Sequence, residues 1–287
     1  MSSAGARFRA ALGGERPLQV AGAINAYAAL LAERAGFRAL YLSGAGVANH
    51  SLGLPDLGLI TLGDVLTDAC RITAATELPL LVDIDTGWGH AYTIQRAVRE
   101  LERAGVAGVQ IEDQAGAKRC GHRPGKAVVE PAEMVARVRA AVAARSDGDF
   151  VLVARTDAYA LEGLDGALAR AHAYAEAGAD VIFAEALASL DEYRRFADEL
   201  SVPVLANVTE FGVTPLFSLA QLREARVGVA LYPLSASRAA ARASERVYRA
   251  IRREGTQAAV LGELQTRDEL YDVLDYLRYE RALDELA

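Results

Sequence analysis

Eight short, nearly continuous apolar runs recur along the 287-residue chain, at Pro17–Ile24, Ala39–Gly44, Pro79–Thr86, Gly108–Asp113, Phe150–Asp157, Asp180–Ala186, Pro203–Thr209 and Val227–Leu234. Runs without polar alternation belong to strands buried on both faces, which is how parallel strands covered by helices behave. Between most of them lie alanine-rich stretches with apolar residues at helical spacing, among them Ala91–Ala104, Pro131–Ala144, Leu164–Ala177 and Leu190–Leu200. Gly36, Gly105 and Gly178 stand just before the next run, where helix C-caps are expected. Strand and helix therefore alternate, and eight such units predict an α/β fold, a (β/α)8 TIM barrel. A doubly wound open sheet is the competitor, but AGAINAYAAL, after the first run, lacks the glycine-rich phosphate turn that such a sheet carries.

Length alone leaves one large domain or two smaller ones open. Eight barrel units spread over the chain favour a single domain over 1–287, with 255–287 as a helical extension beyond what closes a barrel. With 52% hydrophobic and 24% charged residues the chain can bury a sizeable core. Its 31 basic and 38 acidic side chains give a net charge of −7, so no uniformly basic surface is available for a nucleic acid. Two cysteines, Cys70 and Cys120, make no disulfide framework, and the start MSSAGARFRAALGGE lacks the apolar core of a secretory signal, so a cytoplasmic protein with reduced thiols is expected. The longest apolar stretches, such as PLQVAGAI and LPLLVDI, fall well short of the ~20 residues that span a bilayer. The end of the chain is arginine-rich from Arg238 to Arg253 and acidic from Asp268 to Glu285, a pattern of solvated helix faces. Its apolar residues, Leu261, Leu264, Leu270, Leu274, Leu277 and Tyr279 among them, exceed what barrel closure needs and are expected to pack in an oligomer.

The apolar runs end in polar residues, and the C-terminal strand ends are where a barrel places its chemistry. The second run ends in Tyr41, Ser43 and Gly44, the third in Asp83 and Asp85, the fourth in Glu112, the fifth in Arg155 and Asp157, the sixth in Glu185, the seventh in Asn207 and Thr209. Period-two alternation puts Asp83 with Asp85 on one side of a strand, and likewise Arg155 with Asp157 and Asn207 with Thr209. Any one aspartate could equally cap a helix or pair with a surface cation. The set Asp83, Asp85 and Glu112 is better read as an all-oxygen site suited to Mg²⁺ or Mn²⁺. Cys120 lies in KRCGHRPGK, where Lys118, Arg119, His122 and Arg123 favour a reactive thiolate, whereas Cys70 sits in a helical pattern and is read as inert. His122 shares the Cys120 loop and could serve as acid, base or anion donor; His50, His90 and His172 have no such context. Trp88 could equally pack or wall a pocket. Arg155, ending an apolar strand, demands an anionic partner.

The segments SGAGVANHSLGLPDLG, LLVDIDTGWG, IEDQAGAKRCGHRPGKAVV, ARTDA, FAEA, LANVTEFGVTPLF and ALYPLSASRAA together resemble the isocitrate lyase and phosphoenolpyruvate mutase superfamily, over nearly the whole chain. The cysteine-glycine-histidine loop is specific for its lyase branch. The resemblance implies a (β/α)8 barrel whose last helices swap between the subunits of a homotetramer. It implies Mg²⁺-dependent cleavage of a small tricarboxylate, 2-methylisocitrate, into pyruvate and succinate, the last step of a propionate-degrading methylcitrate cycle. On this resemblance Ser43, Gly44 and Ala45 would bind the keto-acid half, and Asp56, Asp83, Asp85 and Glu112 would surround the ion. Cys120 and Gly121 would lie in a mobile catalytic loop. Arg155, Glu185, Asn207, Val208, Thr209, Arg238 and Arg267 would contact substrate carboxylates or support the residues that do. Tyr41 would be the base and Cys120 the acid, with His122 beside it. The chain departs from the family pattern at Gly44-Ala45-Gly46, where three glycines are usual, and at His50, where a small residue is expected. Phe183 and Leu231 favour a substrate with an extra methyl. Lyases of isocitrate or 2,3-dimethylmalate and an oxaloacetate hydrolase would use the same residues, whereas intact metal carboxylates and an intact Cys120 loop speak against a non-enzymatic scaffold.

Overall fold

The computed structural model describes residues 2–286 with the exception of Ala117, Cys120, Arg123 and Pro124. Its eight strands are β1 (Leu18–Gly22), β2 (Ala39–Leu42), β3 (Leu80–Asp83), β4 (Gly108–Glu112), β5 (Val151–Thr156), β6 (Val181–Ala184), β7 (Val204–Asn207) and β8 (Val229–Tyr232). Each pairs in parallel with its sequence neighbour, and β8 pairs with β1 through Val20 and Leu231, closing the barrel. The strand–helix alternation of the sequence is thus the alternation of a (β/α)8 barrel, with every strand inside a predicted run.

Two buried layers follow from the pleat. Along β2, Leu40 and Leu42 face outward into a core shared with the helices, whereas Ala39 and Tyr41 face the lumen with Leu81, Val153, Phe183, Leu205 and Leu231. Helices Leu62–Ala75, Ala91–Arg103, Pro131–Ala144, Tyr159–Glu176 and Leu190–Glu199 cover the outer layer with residues such as Val65, Ile94, Met134, Leu168 and Phe196. The helix Ala4–Gly14 precedes β1 and sends Phe8, fully buried, into the lumen cluster beside Leu18 and Val20. Burial of that ring contributes about 1.5–3 kcal/mol. Helix starts are set locally: Thr61 with Asp64, Ser189 with Glu192 and Ser218 with Gln221 form capping boxes. Gly105 and Gly178 end helices at φ +79° and +109°, conformations that a side chain disfavours.

The internal contacts of the chain define two compact units, Met1–Ser235 and Ala236–Ala287. The second holds most of helix Ser235–Glu254, a 3₁₀ segment Ala258–Glu263, and helices Arg267–Leu274 and Tyr276–Leu286. Asp275, left-handed at φ 52°, breaks the last two apart, and Tyr271 stacks on Tyr276 with ring centroids 4.1 Å apart. Neither of these helices buries a residue, and Leu277, Tyr279 and Leu283 are exposed. Among the described residues no helix is long and apolar enough to cross a membrane.

Candidate active site

On β3, β5, β6 and β7 the lumen-facing residue at the C-terminal end is polar where the one below it is apolar. Above Leu81 of β3 stands Asp83, above Val153 of β5 stands Arg155, and beyond Phe183 of β6 and Leu205 of β7 stand Glu185 and Asn207. On β4 both lumen positions, Gln110 and Glu112, are polar and fully buried. Asp83, Asp85 and Glu112 bring one carboxylate oxygen each within 4.8 Å of one another. The pleat argument reaches this result by a wrong step, because β3 ends at Asp83 and Asp85 lies beyond it at φ 50°, so a left-handed turn aims its carboxylate back. Asp83 locks that turn, Oδ1 accepting from the Asp85 N–H at 3.0 Å and Oδ2 from the Gly44 N–H at 3.1 Å. A Cβ at Gly44 would lie 2.8 Å from Asp85 Oδ1, so only glycine lets the chain pass this close to the acids.

Lys118, buried, fills part of the acidic cradle, donating to Asp56 Oδ1 at 2.9 Å and to Asp85 Oδ1. Burial and Asp83 push the Asp85 carboxyl up to about 7 against the opposing pull of Lys118. Burial also lifts Glu112 well above the usual carboxylate range. Its Oε2 lies 3.2 Å from Arg155 Nη1, yet neither oxygen accepts a hydrogen bond among the described residues. Such orphaned, hard oxygen atoms suit a divalent cation such as Mg²⁺, which the donor set therefore fits.

On the other side of Glu112, Arg155 is held by carboxylates: Asp157 accepts from Nε at 2.9 Å and from Nη2 at 3.0 Å, and Glu185 Oε2 lies 3.1 Å from Nη2. The anionic partner demanded by the sequence is thus present within the chain. Lys126, also buried, stands 3.0 Å from Asp157 Oδ1. His122 accepts the Val213 N–H at Nδ1, 3.0 Å away, which puts the ring proton of the neutral form on Nε2, 3.1 Å from Glu185 Oε1. Burial alone would raise the Glu185 carboxyl, but Arg155, His122 and Lys126 carry it down to about 2. Tyr41 donates to Gln110 Oε1 at 2.5 Å, and burial followed by Asp83 holds its phenol protonated, well above its ordinary range. Six acids, Asp56, Asp83, Asp85, Glu112, Asp157 and Glu185, thus surround the side chains of Lys118, Lys126 and Arg155. A divalent cation would relieve this crowding, since the raised Asp85 and Glu112 carboxyls would then give up their protons.

Tyr41, Ser43, Gly44, Asp83, Asp85, Glu112, Arg155, Glu185, Asn207 and Thr209 all lie buried at this end of the barrel. Gly121 adjoins it, its missing Cβ 2.4 Å from Arg155 Nη2. Asp56 joins through Lys118, and Ala45 lies half-buried in the turn after Gly44. Val208 turns its side chain into the outer core, leaving only its main chain for the site. Cys120 lies outside the described residues. Arg238 and Arg267 belong to the second unit and are exposed. Trp88 packs against the outer core and donates to Ile60 O at 3.0 Å. His90 caps helix Ala91–Arg103, while Cys70 is a free, exposed thiol. Sequence reasoning did not assign Lys118, Lys126 or Gln110 to the site. The glutamine was the readable one, a polar residue two before Glu112 on the same face of an apolar run.

The sequence profile described as phosphoenolpyruvate phosphomutase matches residues 8–252. The chain is 59% identical to the 2-methylisocitrate lyase of Escherichia coli over 287 residues, all of this chain and 97% of that one. Among solved structures, 2,3-dimethylmalate lyase, a PEP mutase/isocitrate lyase superfamily member, aligns at a TM-score of 0.90 and 35% identity over 99% of this chain and 96% of its own. A phosphonopyruvate hydrolase in complex with oxalate and Mg²⁺ aligns at 0.86 and 30% over 99% of each. With its closed barrel and acidic strand ends, the chain belongs to the phosphoenolpyruvate phosphomutase family.

Proposed function

We propose that the chain is a Mg²⁺-dependent carbon–carbon lyase that splits 2-methylisocitrate into pyruvate and succinate in the cytoplasm. The observation that carries this reading is the pairing of an unsatisfied acidic cradle with a fixed arginine at one barrel mouth, in a chain so alike a 2-methylisocitrate lyase along its full length. Asp83, Asp85 and Glu112, with Asp56 behind Lys118, would hold the ion. When bound, Mg²⁺ supplies a Lewis acid for the hydroxyl and carboxylate of the future pyruvate. Ser43 and the main chain of Gly44 and Ala45 position that half of the substrate. Tyr41 is the base of this reading and would act as its phenolate, its own proton leaving to solvent before the substrate binds. A divalent cation in the cradle would cancel the carboxylate part of what keeps the phenol protonated, though not the larger part due to burial. The electrons of the broken carbon–carbon bond pass to the succinate fragment, where Arg155 and Asn207 stabilise the developing charge, with Glu185, Thr209, Val208 and His122 in support. Cys120 delivers the proton that completes succinate, and Gly121 lets its loop approach Arg155. In this reading Arg238 and Arg267 bind the outer carboxylates. The exposed Leu277, Tyr279 and Leu283 pack against neighbouring copies in a homotetramer.

A pyruvate-coupled assay tests the reading with 2-methylisocitrate, isocitrate, 2,3-dimethylmalate and oxaloacetate side by side, before and after chelation. Preferred, chelator-sensitive turnover of 2-methylisocitrate is the expected result. Preference for another acid, or full turnover after exhaustive chelation, overturns it.

A further inference from the structure

Asp113 follows Glu112 at the end of β4, and the pleat that turns Glu112 into the lumen turns Asp113 outward, where it is fully buried. It therefore cannot touch a ligand in the barrel mouth. Its main chain nevertheless ties two segments together, the N–H donating to Arg155 O at 3.1 Å and the carbonyl accepting the Val129 N–H at 2.8 Å. The carboxylate grips the turn beyond β5: Oδ1 accepts the Asp157 N–H at 2.8 Å, and Oδ2 accepts the Thr156 hydroxyl at 2.7 Å and the Tyr174 hydroxyl at 2.9 Å. Arg170 stands 3.7 Å from Oδ2, anchored on Glu162, and donates to Val129 O at 2.7 Å. Two elements thus meet on Asp113, one on its carboxylate and the other on its main-chain carbonyl, with Arg170 between Oδ2 and Val129 O. One is the turn that carries Asp157, whose side chain fixes both Arg155 and Lys126. The other is Val129, where the segment beginning at Ala115 rejoins the barrel; Ala115 and Ala127 are paired at 2.8 Å just inside it.

We infer that Asp113 is a positioning residue for the substrate carboxylate: it sets the orientation of Arg155 through Asp157 and couples that turn to Val129, so that the two shift together. What Arg155 receives rests on the lyase reading; the mechanical link does not. A turn needing only to be closed would be served by main-chain bonds. Three donors converging on one buried carboxylate instead fix its direction, because water cannot replace any of them there.

The test uses Asp113→Asn, Tyr174→Phe and Thr156→Val, with three readouts: KM and kcat of cleavage, the dissociation constant of succinate, and amide hydrogen exchange. Asn keeps an acceptor for the Asp157 N–H but sets an amide against two hydroxyls; the other two variants each remove one donor and carry the test if Asp113→Asn fails to fold. KM and the succinate dissociation constant are expected to rise on the order of tenfold, and kcat per folded molecule to fall with them, because Arg155 both holds the carboxylate and stabilises the developing charge. The Asp157 and Val129 amides should exchange faster together, those of β2 and β7 at the wild-type rate. A merely structural Asp113 would lower the folded fraction and leave KM and succinate binding unmoved, and that result overturns the inference. So does faster exchange at Asp157 with Val129 unchanged. Were the wild type to yield no pyruvate, the lyase reading would fall, and the paired exchange of Asp157 and Val129 would still decide the link.

Discussion

Replacing Glu185 by Gln removes one negative charge from a pocket that holds Arg155 Nη2 at 3.1 Å, His122 Nε2 at 3.1 Å and Asn207 Nδ2 at 3.4 Å, with Glu185 2% exposed. Its carboxyl titrates at about 2 in the fold instead of 4.5. A depressed pKa means that the unfolded chain binds the proton first, so the stabilisation is complete above the unfolded value and is lost as pH falls toward the folded one. At about 1.4 kcal/mol for each tenfold change in proton affinity, the contribution is about 3 kcal/mol at pH 7, falling to about 2 kcal/mol by pH 3.5. Removing one partner of a buried ion pair costs about 3–5 kcal/mol, so the two routes agree. Urea unfolding of wild type and Glu185→Gln in parallel at pH 7, 5 and 3.5 reads this gap. A gap below about 1 kcal/mol at pH 7, or one that does not narrow toward pH 3.5, refutes the reasoning.

Without a metal, stability should fall as pH rises from about 4 to 7, because Asp85, held at about 7, keeps its proton in the fold while the unfolded chain has released it. Mg²⁺ should abolish that decline, and thermal melts at pH 5 and pH 8 that respond alike to Mg²⁺ would contradict it. Cys120→Ser should fold and bind succinate while turnover drops by at least ~10²-fold; a near-normal rate would remove the thiol from the proposed reaction. Truncation after Gly255 strips away Leu261, Leu277, Tyr279 and Leu283, all exposed, and should leave monomers or aggregates; a truncated chain that light scattering finds tetrameric counts decisively against the assembly role.

The barrel was readable because strands covered on both faces carry no polar alternation, and the few polar residues that interrupt them therefore mark the lumen end. Asp83, Glu112, Arg155, Glu185 and Asn207 were found on that ground, and the fold brings them to one mouth. Asp85 was found for a reason that fails, since a pleat cannot act beyond the last strand residue; the turn at φ 50° does the same work and leaves no comparable mark in the sequence. Lys118 and Lys126 look like ordinary loop lysines, and nothing local says that both are buried against acids contributed by β3, the β5 turn and the loop after β2. Yet the need for such cations was implicit in the strands themselves. Carboxylates from β3, β4 and β6 that turn into one lumen cannot remain charged in a low-dielectric mouth without positive partners. Arg155 is the one cation on the strands that reaches them. The rest of the compensation had to come from a loop and from a ligand, and the loop after β4 is the one rich in lysine, arginine and glycine. Lys118 and Lys126 supply part of it, and the unsatisfied oxygens of Glu112 mark where the remainder is still owed.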